Sequence, residues 1–162
     1  MKVLVVYYSQ TGNTKLVAEA IAESLNADIE EISDEKDRAG VFGFLRSGYE
    51  AIFKKLTETQ QPIKHKPEEY DLTIIGSPVW AGRLSSPVRT YLAKHGSEIK
   101  NTAFFATYSI SAGKIFTQME ELSKPPIATL KIKDEEIKSK KYLKKVQEFT
   151  EKIRGIENSS MK

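Results

Sequence analysis

Six consecutive residues, Ser9-Gln10-Thr11-Gly12-Asn13-Thr14, gather three hydroxyls and two amides around one glycine. The apolar run Val3-Leu4-Val5-Val6-Tyr7-Tyr8 leads into them, and the amphipathic segment Leu16-Val17-Ala18-Glu19-Ala20-Ile21-Ala22 leaves them. A strand that turns at once into a helix places such residues at the helix N-terminus. There backbone N–H groups, hydroxyls and the positive end of the helix dipole form a cradle for phosphate. Gly12 lets the backbone bend close to a ligand. An ordinary helix start, capped by Asn13 or Thr11, needs one such residue and not five around a glycine. The loop lacks the Gly-x-x-x-x-Gly-Lys-Ser/Thr pattern that serves a triphosphate and the Gly-x-Gly-x-x-Gly pattern that serves a dinucleotide. A cradle with no lysine in it suits a single phosphomonoester.

Two other stretches carry candidate chemistry. Gly76-Ser77-Pro78-Val79-Trp80-Ala81-Gly82-Arg83 holds the sole tryptophan, between a proline and a glycine just past an apolar run. A flat aromatic ligand needs an aromatic wall, and Trp80 in a constrained loop would supply one. The alternative is that Trp80 packs on the neighbouring helix. Thr107-Tyr108-Ser109-Ile110-Ser111-Ala112-Gly113 follows another apolar run, and Tyr108 is either a second wall or a core residue. No residue reads as a committed general acid, base or nucleophile, so no catalytic residue is assigned.

Positioning these loops falls to an alternation of strand and helix signals along the chain. Strands are expected over 2–8, 27–32, 71–76, 102–108 and 127–133, and helices over 13–25, 43–57, 86–95, 113–123 and 139–153. Alternation of this kind implies a parallel sheet with helices on both faces. Val3–Tyr8, Leu72–Ile75 and Ala103-Phe104-Phe105-Ala106 read as inner strands buried on both sides. Ala27–Ile32 and Leu130–Lys133 alternate in polarity and suit the two edges. The expected order is 2-1-3-4-5, with ligands at the carboxyl ends of the strands near the switch point between the first and third. Pro87 suits the first turn of its helix, and Ser139 the cap of the last.

Composition narrows the function classes. At 162 residues the chain is most simply one domain, expected over 1–155 with a flexible tail over 156–162. Without cysteine there are no disulfides, iron–sulfur clusters, thiolate zinc sites or redox thiols. His65 and His95 lie far apart and have no metal-ligand spacing. No apolar span is long enough for a membrane helix, so the expected location is the cytoplasm. A net charge of +3 with no arginine-rich arm does not point to nucleic acid. Lys138, Lys140, Lys141, Lys144 and Lys145 are interspersed with Glu148 and Glu151 and read as a solvated helix face.

The strand followed by Ser9-Gln10-Thr11-Gly12-Asn13-Thr14 resembles the FMN phosphate loop of flavodoxins. Tyr70-Asp71-Leu72-Thr73-Ile74-Ile75-Gly76-Ser77-Pro78-Val79-Trp80-Ala81-Gly82 resembles their second loop, which carries an aromatic against one flavin face. The resemblance covers nearly the whole chain. It implies a flavodoxin-like α/β/α sandwich with a five-stranded parallel sheet, and FMN as cofactor. It implies that Ser9, Gln10, Thr11, Gly12, Asn13 and Thr14 bind the phosphate. Pro78, Val79, Trp80, Ala81 and Gly82 would border the isoalloxazine ring, and the loop from Thr107, Tyr108 and Ser109 to Gly113 would line its other side. Departures from the family are the basic charge, the third loop Tyr-Ser-Ile-Ser-Ala-Gly-Lys, and the glycine- and aromatic-rich segment Ala39–Tyr49.

The expected function is electron transfer through non-covalently bound FMN, with a redox partner protein or a small acceptor such as a quinone. An NAD(P)H-dependent quinone or flavin reductase, with Gly40–Tyr49 as a rim over the flavin, is the enzyme alternative. Helical spacing of Phe42, Leu45, Tyr49 and Ile52 gives that segment a core-facing reading instead. An interaction domain without flavin is the third reading, and the assembly is a monomer or homodimer. Arg83, Lys114 and Arg46 are cations near these loops; close to a flavin they would make its reduction potential less negative than in acidic carriers, and otherwise they are solvated.

Overall fold

The computed structural model describes residues 1–34, 59–60 and 63–160. The expected helix over 43–57, the Gly40–Tyr49 rim, Arg46 and the Phe42, Leu45, Tyr49, Ile52 stripe lie outside them.

The strand β1 (Val3–Tyr7) has every residue buried. Side chains alternate across a strand, so Val3, Val5 and Tyr7 join one apolar cluster while Leu4 and Val6, with the following Tyr8, join another. A strand buried on both faces sits inside a sheet, and β1 pairs in parallel with β2 (Asp28–Glu31) on one side and β5 (Leu72–Trp80) on the other. β7 (Thr102–Tyr108) follows β5, and β8 (Pro126–Lys133) closes the far edge. The five parallel strands thus run β2-β1-β5-β7-β8, the expected order. β8 alternates in exposure as expected, whereas β2 does not: Asp28, Ile29 and Glu31 are all exposed and only Glu30 is half-buried. Two short strands, β3 (Ser33–Asp34) and β4 (Thr59–Gln60), form a separate antiparallel pair.

Helices cover both faces. α1 (Asn13–Leu25) and α5 (Tyr142–Ser160) pack on one, where Val17, Ile21, Val146, Phe149 and Ile153 meet Val5, Ile74, Phe105 and Ile132. The spacing Val146, Phe149, Thr150, Ile153 gives α5 one buried stripe. Ser24 Oγ and Thr150 Oγ1, 2.9 Å apart, link the two helices. On the other face α2 (Ser86–His95) and α3 (Ile115–Glu121) cover Leu4, Val6, Ile75 and Phe104 with Val88, Leu92, Ile115 and Met119. Pro87 lies in the first turn of α2, after Ser85 at its N-cap. Among the described residues no helix is long and apolar enough to cross a membrane.

Three boundaries differ from expectation. The third strand runs beyond Gly76 to Trp80, pairing with β7 as far as Pro78 opposite Thr107. Gly76 stays within the strand because packing requires a glycine there. A Cβ there would lie 1.9 Å from Cζ of Phe105. Second, α3 is shorter than 113–123 because Gly113, at φ +53°, precedes it in a turn. Third, the expected helix over 139–153 starts at Tyr142, and an unexpected short helix precedes it. α4 (Asp134–Lys138) starts directly after β8, with the Glu136 carboxylate accepting the Lys133 N–H at 2.8 Å. Ser139 closes α4 at its C-terminus and does not open α5. Lys140, at φ +57°, breaks the helical path before Tyr142. α5 then continues to Ser160, into the segment read as a tail.

Two predictions test this packing. Gly76→Ala drives a methyl into the Phe105 ring and should destabilise by about 1–3 kcal/mol in urea unfolding. Adding Phe105→Leu, which shortens the obstructing side chain, should recover part of that loss. The second concerns Glu136, whose pKa lies below the ordinary carboxylate value because Lys145 Nζ, 2.6 Å away, and the Lys133 N–H bind its charged form. A lowered folded pKa gives stability that is present above the unfolded value and is lost as pH falls through the folded one. Glu136→Gln should therefore lower the unfolding midpoint at pH 7 and have a smaller effect at pH 3.

Candidate functional site

Three loops meet at the carboxyl edge of the sheet, after β1, β5 and β7. The first begins where β1 ends. Ser9 Oγ accepts the N–H of Gly12 at 3.1 Å and of Lys15 at 3.2 Å, folding the loop back on the start of α1. Gly12 holds the N-cap at φ +96°, and a Cβ there would meet nothing within 4 Å. Space is therefore open over Gly12, at a helix start whose first N–H groups have no partner within the helix. Ser9, Gln10 and Asn13 are half-buried and Thr11 is exposed. Thr14 is turned inward, its Oγ1 2.8 Å from Oγ1 of the buried Thr107. That contact ties the first loop to the end of β7.

The stretch 78–82, expected as a loop, is largely a hairpin. β5 leaves β7 after Pro78 and turns back into β6 (Arg83–Leu84), with Val79 opposite Leu84 and Trp80 opposite Arg83. The two turn residues, Ala81 and Gly82, have φ of +50° and +71°. Two consecutive positive φ values give the hairpin turn whose twist matches its strands. An alanine at the first position hides the Asn-Gly or Asp-Gly signal that usually marks such a turn. Below the hairpin, Ser77 Oγ and Ser85 Oγ are 2.7 Å apart and fully buried. Trp80 is 4% exposed and packs edge-on against Tyr8, with ring centroids 5.7 Å apart. It belongs to the apolar cluster with Leu84 and Ile115. Pro78 and Val79 are half-buried and Ala81 is exposed.

The third loop closes the group. Tyr108 is half-buried, Ser109 is exposed and Ile110 is 94% exposed. Gly113 lies against the hairpin tip so closely that a Cβ would be 1.9 Å from the Gly82 carbonyl oxygen. That oxygen accepts the Lys114 N–H at 3.2 Å. The sites expected from sequence are therefore brought to one edge: first loop to third through Thr14 and Thr107, second loop to third through Gly82 and Lys114.

Sequence reading missed Asp134. Its carboxylate accepts the Asn13 side-chain amide at 3.0 Å through Oδ1 and the Ser109 hydroxyl through Oδ2. The Asn13 side chain is thus held by a carboxylate, which leaves its backbone N–H as its group at the helix start. Asp134 follows β8 directly, and β8 pairs with β7 as far as Lys133 opposite Tyr108. The one available signal was an aspartate at the carboxyl end of a strand next to the third loop.

The family model described as flavodoxin matches residues 2–153. Similar solved structures include a flavoprotein from Lactobacillus acidophilus NCFM in complex with FMN. It is 25% identical, with 85% of this chain and 97% of that one covered and a TM-score of 0.70. The apo form of the flavoprotein from the same organism is 26% identical, with coverages of 85% and 95% and a TM-score of 0.59. Oxidised flavodoxin 2 from Bacillus cereus, 20% identical over 96% of this chain and 99% of that one, has a TM-score of 0.58 and shares the fold. No curated protein matches the chain.

The contact between hairpin and third loop should not tolerate a side chain. Gly113→Ala combines a positive φ with the clash on Gly82 and should cost about 1–3 kcal/mol. Chemical denaturation measures the loss, and faster hydrogen exchange at the Lys114 N–H localises it.

Proposed function

The chain belongs to the flavodoxin family, and from that premise we propose that it binds FMN at the carboxyl edge of its sheet and transfers electrons through it. The observation that carries this reading is the start of α1. Gly12 at φ +96° leaves open space beside a helix N-terminus, within a loop whose donors are all neutral N–H and O–H groups. That donor set fits a phosphomonoester. The similarity to a flavoprotein crystallised with FMN supports the choice of flavin.

In this reading Ser9 shapes the cradle by holding the N–H groups of Gly12 and Lys15. Gln10 and Thr11 line it together with the backbone N–H groups of Asn13 and Thr14, and Asp134 holds the Asn13 side chain. Pro78, Val79, Ala81 and Gly82 border the ring on one side, and Thr107, Tyr108, Ser109 and Gly113 on the other. Trp80, buried against Tyr8, supports the site from below. Bound FMN would supply the redox chemistry. The protein holds the phosphate, shields the ring and sets the surrounding charge. Arg83 and Lys114, on the hairpin and beside the third loop, favour a flavin potential less negative than in an acidic carrier. The electron acceptor would be a partner protein or a small molecule such as a quinone.

Fluorescence titration of the purified protein with FMN and with riboflavin tests the cradle. FMN should bind at least about tenfold more tightly, because only FMN offers charge-assisted bonds to the loop. Ser9→Ala should weaken FMN and leave riboflavin nearly unchanged. Absence of flavin binding at excess FMN would overturn the redox function. Equal affinity for the two flavins would overturn the assignment of the first loop.

A further inference from the structure

A cleft of about 450 Å³ lies on the outer side of the hairpin tip, lined in part by Gly82, Arg83, Lys114, Gln118 and Glu121. It is separate from the first loop, none of whose residues lines it. Its floor is polar by construction. Gln118 is 5% exposed, and its Oε1 accepts the Leu84 N–H at 2.9 Å and Nη2 of Arg89 at 3.2 Å. Arg89 is 5% exposed, its Nε has no hydrogen-bond partner among the described residues, and its Nη2 donates to the neutral Gln118 amide.

A guanidinium that deep in protein is costly unless a negative group compensates it. Burial lowers the Arg89 pKa, the Glu121 charge partly offsets that, and the Arg83 charge adds to it. Among the described residues, Arg83, Arg89 and Lys114 thus stand against Glu121: three cations lining or backing the cleft, one carboxylate within it. The surplus of two positive charges matches a dianion. Arginine and lysine side by side are the groups that hold phosphate.

We propose that the cleft between the hairpin tip and α3 is an anion site that takes the phosphate group of a small molecule. Gln118 relays the position of the buried guanidinium to the cleft floor, and Arg83 and Lys114 close on the ligand from the rim. The cleft adjoins the proposed flavin edge, with which it shares Ala81, Gly82 and Gly113, and it is distinct from the phosphate cradle at the start of α1.

NMR titration of the full chain with inorganic phosphate, against chloride at matched ionic strength, tests the site. The expected result is saturable shifts at the backbone amides of Gly82 and Lys114 and at the side-chain Nε–H of Arg89. Arg83→Gln and Lys114→Gln, both at the rim, should each weaken that binding by about fivefold. A parallel titration with adenosine monophosphate separates the sources. Equal affinity identifies free phosphate as the ligand, and tighter binding identifies a larger phosphorylated molecule that fills the cleft. Shifts that fail to saturate, that chloride reproduces, or that both rim variants leave unchanged would overturn the site. Amides of Gly12 and Thr14 report the first loop separately. Response there with none at Gly82 and Arg89 leaves the flavin cradle and removes the cleft, and the reverse leaves the cleft and counts against the cradle.

Discussion

The burial of β1 on both faces is the constraint from which the rest of the molecule follows. A strand with no wet side must pair its backbone on both edges, since unpaired peptide groups shut away from water are costly. β1 does so with β2 and β5, both parallel to it. Parallel neighbours require return paths across the faces, and those paths are the helices. Every strand-to-helix turn then emerges at one edge of the sheet. The gathering of the loops after β1, β5 and β7 is therefore a consequence of topology, and the side-chain contacts only refine it. Thr14 with Thr107, and Gly82 with Gly113 and Lys114, are the refinements.

How much of this is legible in the sequence depends on whether a residue's reason is local. Val3–Tyr7 and Ala103–Ala106 are continuous apolar runs, and α1 has its glycine at the start and an amphipathic period behind it. These elements read directly, and with them the sheet order and the first loop. Gly76 did not, because its reason is the ring of Phe105, a residue far along the chain. The hairpin at Ala81–Gly82 did not, because an alanine sits where the left-handed turn would usually take asparagine, aspartate or glycine. Lys140 misled in the same way, breaking the path between α4 and α5 inside a lysine-rich stretch whose period looks unbroken. Asp134 was out of reach for a different reason. Its partners, Asn13 and Ser109, come from two other loops that meet it only in the folded molecule.

The polar groups of the interior divide by what they join. Ser77 with Ser85 fixes the base of the hairpin, and Ser24 with Thr150 fixes α5 on α1. Both are neutral pairs that satisfy each other. Arg89 is different, since its charge is buried against an amide. Neutral pairs explain how elements are held, whereas a buried charge beside a cleft bears on what the molecule can receive.

The two edge strands carry opposite charge. β2 presents Asp28, Glu30 and Glu31, while β8 presents Lys131 and Lys133, with Lys145 Nζ reaching to 3.5 Å from the Lys131 carbonyl. Charged side chains on an edge deter another strand from adding to it. Because β2 and β8 lie at opposite ends of the sheet, these strand charges form a dipole across its width. The field of a charged body exerts a torque on such a dipole, so the two edges respond to an approaching charge with opposite sign before any surface touches. The net charge of +3 averages over this difference between the two edges.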